Sequence, residues 1–154
     1  MTGADADPFR CLLRVRYAEC DAQGVVFNPR YGEYVEVAVT EFVRALGFGD
    51  DFVAGRLDYQ LVRQTIEWRA PARFDDVIAA AVRAAHIGNT SFRLGVDFAR
   101  ADDGAALASA ETVYVVVDSA LRKRAVPDAF RAALETGAPG IETDLAAWRR
   151  AAGG

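Results

Sequence analysis

Residues 28–47, NPRYGEYVEVAVTEFVRALG, are the one long amphipathic helix in the chain, and nearly everything from Tyr59 to Asp118 reads as strand. Asn28 is a favoured N-cap, and Pro29 falls where a helix tolerates a residue without an N–H. Tyr31, Tyr34, Val35, Ala38, Phe42 and Ala45 recur at steps of three and four and mark one apolar face. Arg30, Glu33, Glu36, Glu41 and Arg44 lie largely outside it, and Gly47 is placed to close the helix. A helix with a single apolar stripe must bury that stripe against another layer.

The rest of the pattern supplies the layer. CLLRVRY, Cys11 to Tyr17, sets arginines against Leu13, Val15 and Tyr17 and predicts a strand before the helix. After a loop through Asp50-Asp51, strands are predicted over Tyr59–Arg69, Val77–His86, the stretch around Phe92–Phe98, and Leu107–Val117. Phe92, Leu94, Val96 and Phe98 alternate with Arg93, Gly95 and Asp97, the pattern of a half-buried antiparallel strand. Pro71, Gly88 and the turn Asp102-Asp103-Gly104 separate these runs, and Val126-Pro127-Asp128 opens a short helix to about Leu134. The expected architecture is α+β: a long central helix wrapped by a five-stranded antiparallel sheet, the hotdog arrangement. Residues 1–9 are expected to be a flexible leader and 10–136 the domain. Residues 137–154 are read as a tail, with a possible short helix around Trp148.

Composition narrows the chemistry. With 154 residues and 52% hydrophobic content the chain reads as one globular domain. A net charge of −4 gives no footprint for nucleic acid. No run reaches the ~18 apolar residues of a membrane span, and the acidic start MTGADADPFR does not resemble a signal peptide. A cytoplasmic location and no membrane partner are therefore expected. One histidine, His86, and two cysteines argue against a zinc site or a disulfide framework, so no metal is expected. His86 lies in an apolar strand run and is read as a core or interface residue rather than a catalytic one. Gly47-Phe48-Gly49 begins like a dinucleotide fingerprint but has Phe52 where the third glycine belongs.

Between the first strand and the helix, Asp21 and Gly24 share a turn. A carboxylate with a reference pKa near 3.9 is ionised at neutral pH. The helix start beside it presents unpaired N–H groups and the positive end of a dipole. On the residues alone, Asp21 either organises the turn or does chemistry. The stretch RVRYAECDAQGVVFNPRYGEYVEVAVTEFVRALG, Arg14 to Gly47, resembles the signature of the 4-hydroxybenzoyl-CoA thioesterase-like hotdog family. That signature has an Asp, a Gly three residues later, and a helix opened by an aromatic or polar residue and Tyr. The resemblance continues through APARFDDVI, IGNTSF, ETVYVVVD and VPDAF, and covers roughly residues 10 to 134.

The resemblance implies an acyl-CoA thioesterase with no metal or cofactor. Asp21 would be its catalytic carboxylate, as general base or nucleophile, and the Asn28 backbone N–H would polarise the thioester carbonyl. Gly24, Phe27, Tyr31 and Tyr59 would contact substrate, and Gly88, Asn89, Thr90 and Ser91 would hold the CoA end. Two departures stand out. Some members carry His or an aromatic residue where this chain has Asn28, and some carry Arg and Lys before the serine, where this chain is uncharged. Arg93 follows that turn closely, and Arg122-Lys123-Arg124 is read either as a phosphate contact or as a solvated turn. Phe27, Tyr31, Tyr34, Tyr59 and Trp68 are read as an aromatic acyl pocket, with helix-to-sheet packing favoured for Tyr34 and Trp68. Cys20, between Glu19 and Asp21, reads as a packed side chain rather than a nucleophile. The alternatives are an acyl-carrier-protein thioesterase and a non-catalytic acyl-CoA-binding module. Open sheet edges need covering, so a homodimer or homotetramer is expected, and the resemblance implies active sites at the dimer interface.

Overall fold

The computed structural model of the chain describes residues 7–149. Six strands form one sheet: β1 (Phe9–Arg14), β2 (Asp58–Trp68), β3 (Val77–Ile87), β4 (Ser91–Arg100), β5 (Ala106–Val117) and β6 (Glu142–Asp144), in the order β2-β5-β4-β3-β1-β6. Five of them are the expected antiparallel set. The sixth comes from the tail and pairs parallel with β1. The helices are α1 (Tyr31–Ala45), α2 (Gly49–Val53) and α3 (Asp128–Thr136). Of the expected tail helix only Trp148 and Arg149 fall within the described residues and are helical; residues 150–154, like residues 1–6 of the expected leader, lie outside them. β1 starts at the buried Phe9. It ends at Arg14, before Tyr17, which stands 81% exposed in a 3-10 turn instead of facing the core.

The apolar stripe of α1 buries Tyr31, Tyr34, Val35, Ala38, Val39, Phe42 and Val43. These side chains join Cys11, Leu13, Ile78, Ala80, Phe92, Leu94, Val96 and Phe98 from the concave face of the sheet in one core. Gly47 closes the helix with φ +92, and the two bonds beside it, Gly47 N–H to Arg44 O and Phe48 N–H to Val43 O, satisfy the last-turn carbonyls. The helix start differs from the reading by one position. Asn28, Pro29 and Arg30 form a 3-10 turn that feeds α1, with Phe27 rather than Asn28 in the capping place.

α1 packs mainly on β1 and β3 and leaves β2 at the border of the sheet. β2 runs for 11 residues, with Leu61 at 45%, Val62 at 58% and Trp68 at 45% exposure. The convex face carries ion pairs between Arg83 and Asp97 and between Arg93 and Glu111. His86, beside a bulge in β3, is exposed and so is not a core residue. Among the described residues no helix is long and apolar enough to cross a membrane.

Candidate active site

The Asp21 loop is a narrow hairpin pinned at three levels. Phe27 N–H donates to Glu19 O at 2.9 Å, Cys20 bridges Val26, and Asp21 N–H donates to Val25 O at 2.9 Å. Gly24 turns the tip with φ +76, and its N–H donates to the Asp21 carbonyl. Asp21 Oδ1 accepts the Gln23 N–H at 2.8 Å, and its other oxygen has no partner among the described residues. Val26 N–H to Ala72 O and a bridge between Val25 and Arg73 dock the hairpin on the strand-leading loop. Cys20 is half-buried and directs its thiol at the Arg16 carbonyl, 3.8 Å away, as a packed side chain would.

Behind the hairpin stands a group that the sequence reading passed over. Glu19 is 4% exposed and accepts three hydrogen bonds, from Arg16 N–H (2.8 Å), the Arg16 guanidinium (3.0 Å) and the Tyr34 hydroxyl (2.9 Å). Burial alone would raise its pKa, but the Arg16 N–H and guanidinium and the Tyr34 hydroxyl outweigh it and hold the carboxyl below its usual range. Burial and this carboxylate push the Tyr34 hydroxyl upward. Tyr34 is thus a packing residue, as read, and also the anchor of the loop. The only sequence hint was a tyrosine on the apolar face of the helix 15 residues after an acid.

At the base of the hairpin, Asn28, Tyr31, Val26, Trp68, Ala70 and Pro71 line a cavity of about 210 Å³. The Asn28 N–H has no hydrogen-bond partner among the described residues. Tyr31 is 1% exposed, and Trp68 stands edge-on to it at 6.2 Å. The structure therefore groups Asn28, Tyr31 and Trp68. Within one chain Asp21 and Gly24, at the hairpin tip, do not line this cavity, and neither does Phe27, which is 53% exposed.

Tyr59 and the Gly88–Ser91 turn stand elsewhere. Trp68 lies opposite Ala108 of β5, whereas Gln60 and Ser91 both lie opposite Val115. Seven residues of strand separate those positions, about 23 Å at the usual rise. Tyr59 stacks on Phe52 of α2 and meets Phe92 and Tyr114 at that far end. The turn is well built: Arg131 of α3 donates to Gly88 O at 2.6 Å, Val126 N–H to Asn89 O at 2.9 Å, and Val116 N–H to Thr90 O at 2.8 Å. The N–H groups of Asn89 and Thr90 make no hydrogen bond among the described residues. Arg124 N–H donates to Val116 O, which brings the basic run 122–124 alongside the turn. Arg93 faces the convex side, paired with Glu111.

Comparison with known proteins decides the family. Residues 15–134 match the pattern of the thioesterase-like superfamily. The chain belongs to that family. It is 32% identical over 121 residues to the acyl-CoA thioester hydrolase YbgC of Escherichia coli, covering 77% of this chain and 90% of that one. The PA5185 protein of Pseudomonas aeruginosa superposes with a TM-score of 0.77 at 25% identity, over 86% of this chain and 92% of that one. The solved gentisyl-coenzyme A thioesterase BH1999 gives a TM-score of 0.73 at 25% identity, over 82% and 98%. The expected hotdog fold is the fold of these relatives.

Proposed function

We propose that the chain hydrolyses an acyl-CoA thioester to a carboxylic acid and free CoA, with Asp21 as base or nucleophile and the Asn28 N–H as oxyanion donor. The observation that carries this reading is the Asn28 N–H, unpartnered at the first turn before α1 and lining a cavity beside the Asp21 hairpin. A donor held in that position by the backbone needs no reorganisation when negative charge builds on the carbonyl oxygen. Pro29 has no N–H, and Tyr31 N–H is spent on Asn28 O and Pro29 O, which leaves Asn28 as the free donor of the turn. In the base form, the free oxygen of Asp21 takes a proton from water as that water attacks the carbonyl carbon. The tetrahedral oxyanion is held at Asn28, and its collapse expels the CoA sulfur, which leaves as the thiol once protonated.

On this reading a second copy completes the site, because the Trp68 end and the Ser91 end lie about 23 Å apart along the strands of one chain. The bare β2 border supplies the means. If two β2 strands pair antiparallel about their centres, the Trp68 end of one meets the Tyr59 end of the other. Tyr59 and the Gly88–Ser91 turn of the partner, two strands further in, then approach the Asn28 cavity. The unpaired N–H groups of Asn89 and Thr90 and the nearby Arg124 suit the phosphates of CoA. The reading is tested with a panel of acyl-CoA and acyl-carrier-protein thioesters, measuring released thiol. Turnover on CoA esters is expected, and Asp21→Asn should reduce it by ~10²–10⁴ without changing the melting transition. Near-full turnover by the folded variant refutes the role of Asp21.

A further inference from the structure

Residues 70–76 cross between β2 and β3 without regular structure, yet much of the candidate site leans on them. Ala70 and Pro71 wall the Asn28 cavity, Ala72 O accepts the Val26 N–H at 2.8 Å, and Arg73 bridges Val25. The loop also bends through Asp75 at φ +69, a left-handed conformation that a residue with a Cβ keeps when its surroundings impose it. Arg100, the last residue of β4, supplies part of that constraint. Its guanidinium donates in three directions: to Pro71 O at 3.1 Å, to Asp76 Oδ2 at 3.3 Å and to Asp103 Oδ2 at 2.9 Å. Asp76 Oδ2 in turn accepts the Arg73 N–H at 2.9 Å, and Asp103 Oδ1 accepts the Ala105 N–H at 3.0 Å. One side chain therefore ties the β4–β5 turn to both ends of the loop.

We propose that Arg100 is a positioning residue for hydrolysis, acting through residues 70–76 to set where the Asp21 hairpin stands against the Asn28 cavity. The inference rests on the acyl-CoA reading and adds to it a residue that touches neither the substrate nor the reacting atoms. The chain of contacts is short. Pro71, whose carbonyl Arg100 holds, is cavity wall. Arg73, whose N–H is held by the carboxylate that Arg100 pairs with, carries the hairpin at Val25. An arginine suits the place, because its planar fork serves several acceptors at fixed angles, whereas a lysine offers a point charge on a flexible stem. At 23% exposure its side chain is also more sheltered than those of Arg93 and Arg83 on the convex face, at 43% and 56%. Both charges reach the cavity lining. Burial raises the Tyr31 pKa, the Arg100 guanidinium opposes this and the Asp76 carboxylate adds to it. A misplacement of about 1 Å can cost ~10²-fold in rate, so a small shift of the loop is enough to register in turnover.

The test is a double-mutant cycle in kcat, measured on the acyl-CoA ester that the wild type turns over fastest, at a temperature where circular dichroism shows every variant folded. Arg100→Met keeps the length of the side chain and removes all three bonds. Asp76→Ala removes the carboxylate that joins Arg100 to the Arg73 N–H. Each should lower kcat by about tenfold or more. The double variant should lose no more than the worse single, because both residues act through one loop. Competitive inhibition by free CoA should be unchanged throughout, since the Gly88–Ser91 turn stands at the other end of the strands. If Arg100→Met folds poorly, Arg100→Lys takes its place, and it too should lose kcat because one ammonium cannot meet three acceptors at once. Full kcat in a folded Arg100 variant, losses that multiply in the double variant, or CoA inhibition that weakens in step with kcat overturns the inference and leaves the thioesterase reading standing. No thiol release by the wild type from any ester overturns both.

Discussion

Tyr34→Phe isolates the buried bond that secures the Asp21 hairpin. The substitution keeps the ring, and with it the edge contact to Tyr31 at 5.5 Å, so no cavity opens. It removes one of three hydrogen bonds to Glu19, the 2.9 Å bond from the hydroxyl, and leaves Oε1 with the Arg16 N–H alone. The Arg16 guanidinium cannot compensate, because its side chain is 75% exposed and an exposed ion pair contributes little. A hydrogen bond to a buried charge is worth ~1.5–3 kcal/mol. About 2 kcal/mol lowers the melting temperature of a domain of this size by ~4–8 °C. The loss should depend on pH in a definite sense. Glu19 has a folded-state pKa below its ordinary 4.5, so its contribution is complete above that value and disappears as pH falls through the folded pKa. The variant should therefore lag the wild type fully at pH 7 and by progressively less below 4.5. Calorimetry across pH 3–7, on the order of half-unit steps, measures both. A shift under about 1 °C at neutral pH, or a gap that does not narrow in acid, refutes the assignment of Glu19 as the loop's buried anchor.

Three further outcomes follow from the described geometry. Val62→Lys places a charge on a side chain that is 58% exposed at the middle of the free border, so it should prevent the proposed β2-to-β2 dimer while leaving the chain folded. Light scattering should show monomer, activity should fall with it, and a fully active monomer would remove the shared-site arrangement. Asn89→Glu should raise KM by repelling the CoA phosphates and spare kcat; a fall in kcat at constant KM would move the turn into the chemical step. Gly47→Ala meets no neighbouring atom but must hold φ +92, so it should cost ~1–2 kcal/mol in urea unfolding, and a neutral effect would show that the helix end relaxes elsewhere.

The fold was readable because each large element repeats a period over many residues. The i, i+3, i+4 spacing of Tyr31 to Phe42 and the alternation of Phe92 to Phe98 each carry several independent hits. β6 escaped because three residues hold barely one period and its pairing with β1 joins positions about 130 apart. α2 escaped for the same reason, with five residues and a start at Gly49. At the candidate site, Asp21 and Asn28 were marked by turn chemistry and by resemblance, and those signals are local. Glu19 looked like any surface acid, since only the fold reveals that Tyr34 turns back over it. Equally, no pattern told that Arg131 would clasp the Gly88 carbonyl or that Tyr31 would be left with an idle hydroxyl. Those facts belong to three-dimensional neighbours, which a single sequence does not pair.

The two borders of the sheet are unequal, and this limits how copies can add. β2 offers 11 residues, with a register break at Val62, whereas β6 offers three. Just past β6 the Asp144 carboxylate gathers the N–H groups of Ala146, Trp148 and Arg149 and bends the chain off the strand direction. Trp148 then packs with Leu12, Val77 and Ala146. A ribbon that can be extended on both sides grows without end, but one with a single long border is finished when two borders have met. Strand-to-strand addition should therefore stop at a pair, with no fibril to follow. Any assembly larger than two has to use the faces of the sheet. The protomer count of a higher oligomer would thus report on the convex face and its Arg83–Asp97 and Arg93–Glu111 pairs, not on the ladder.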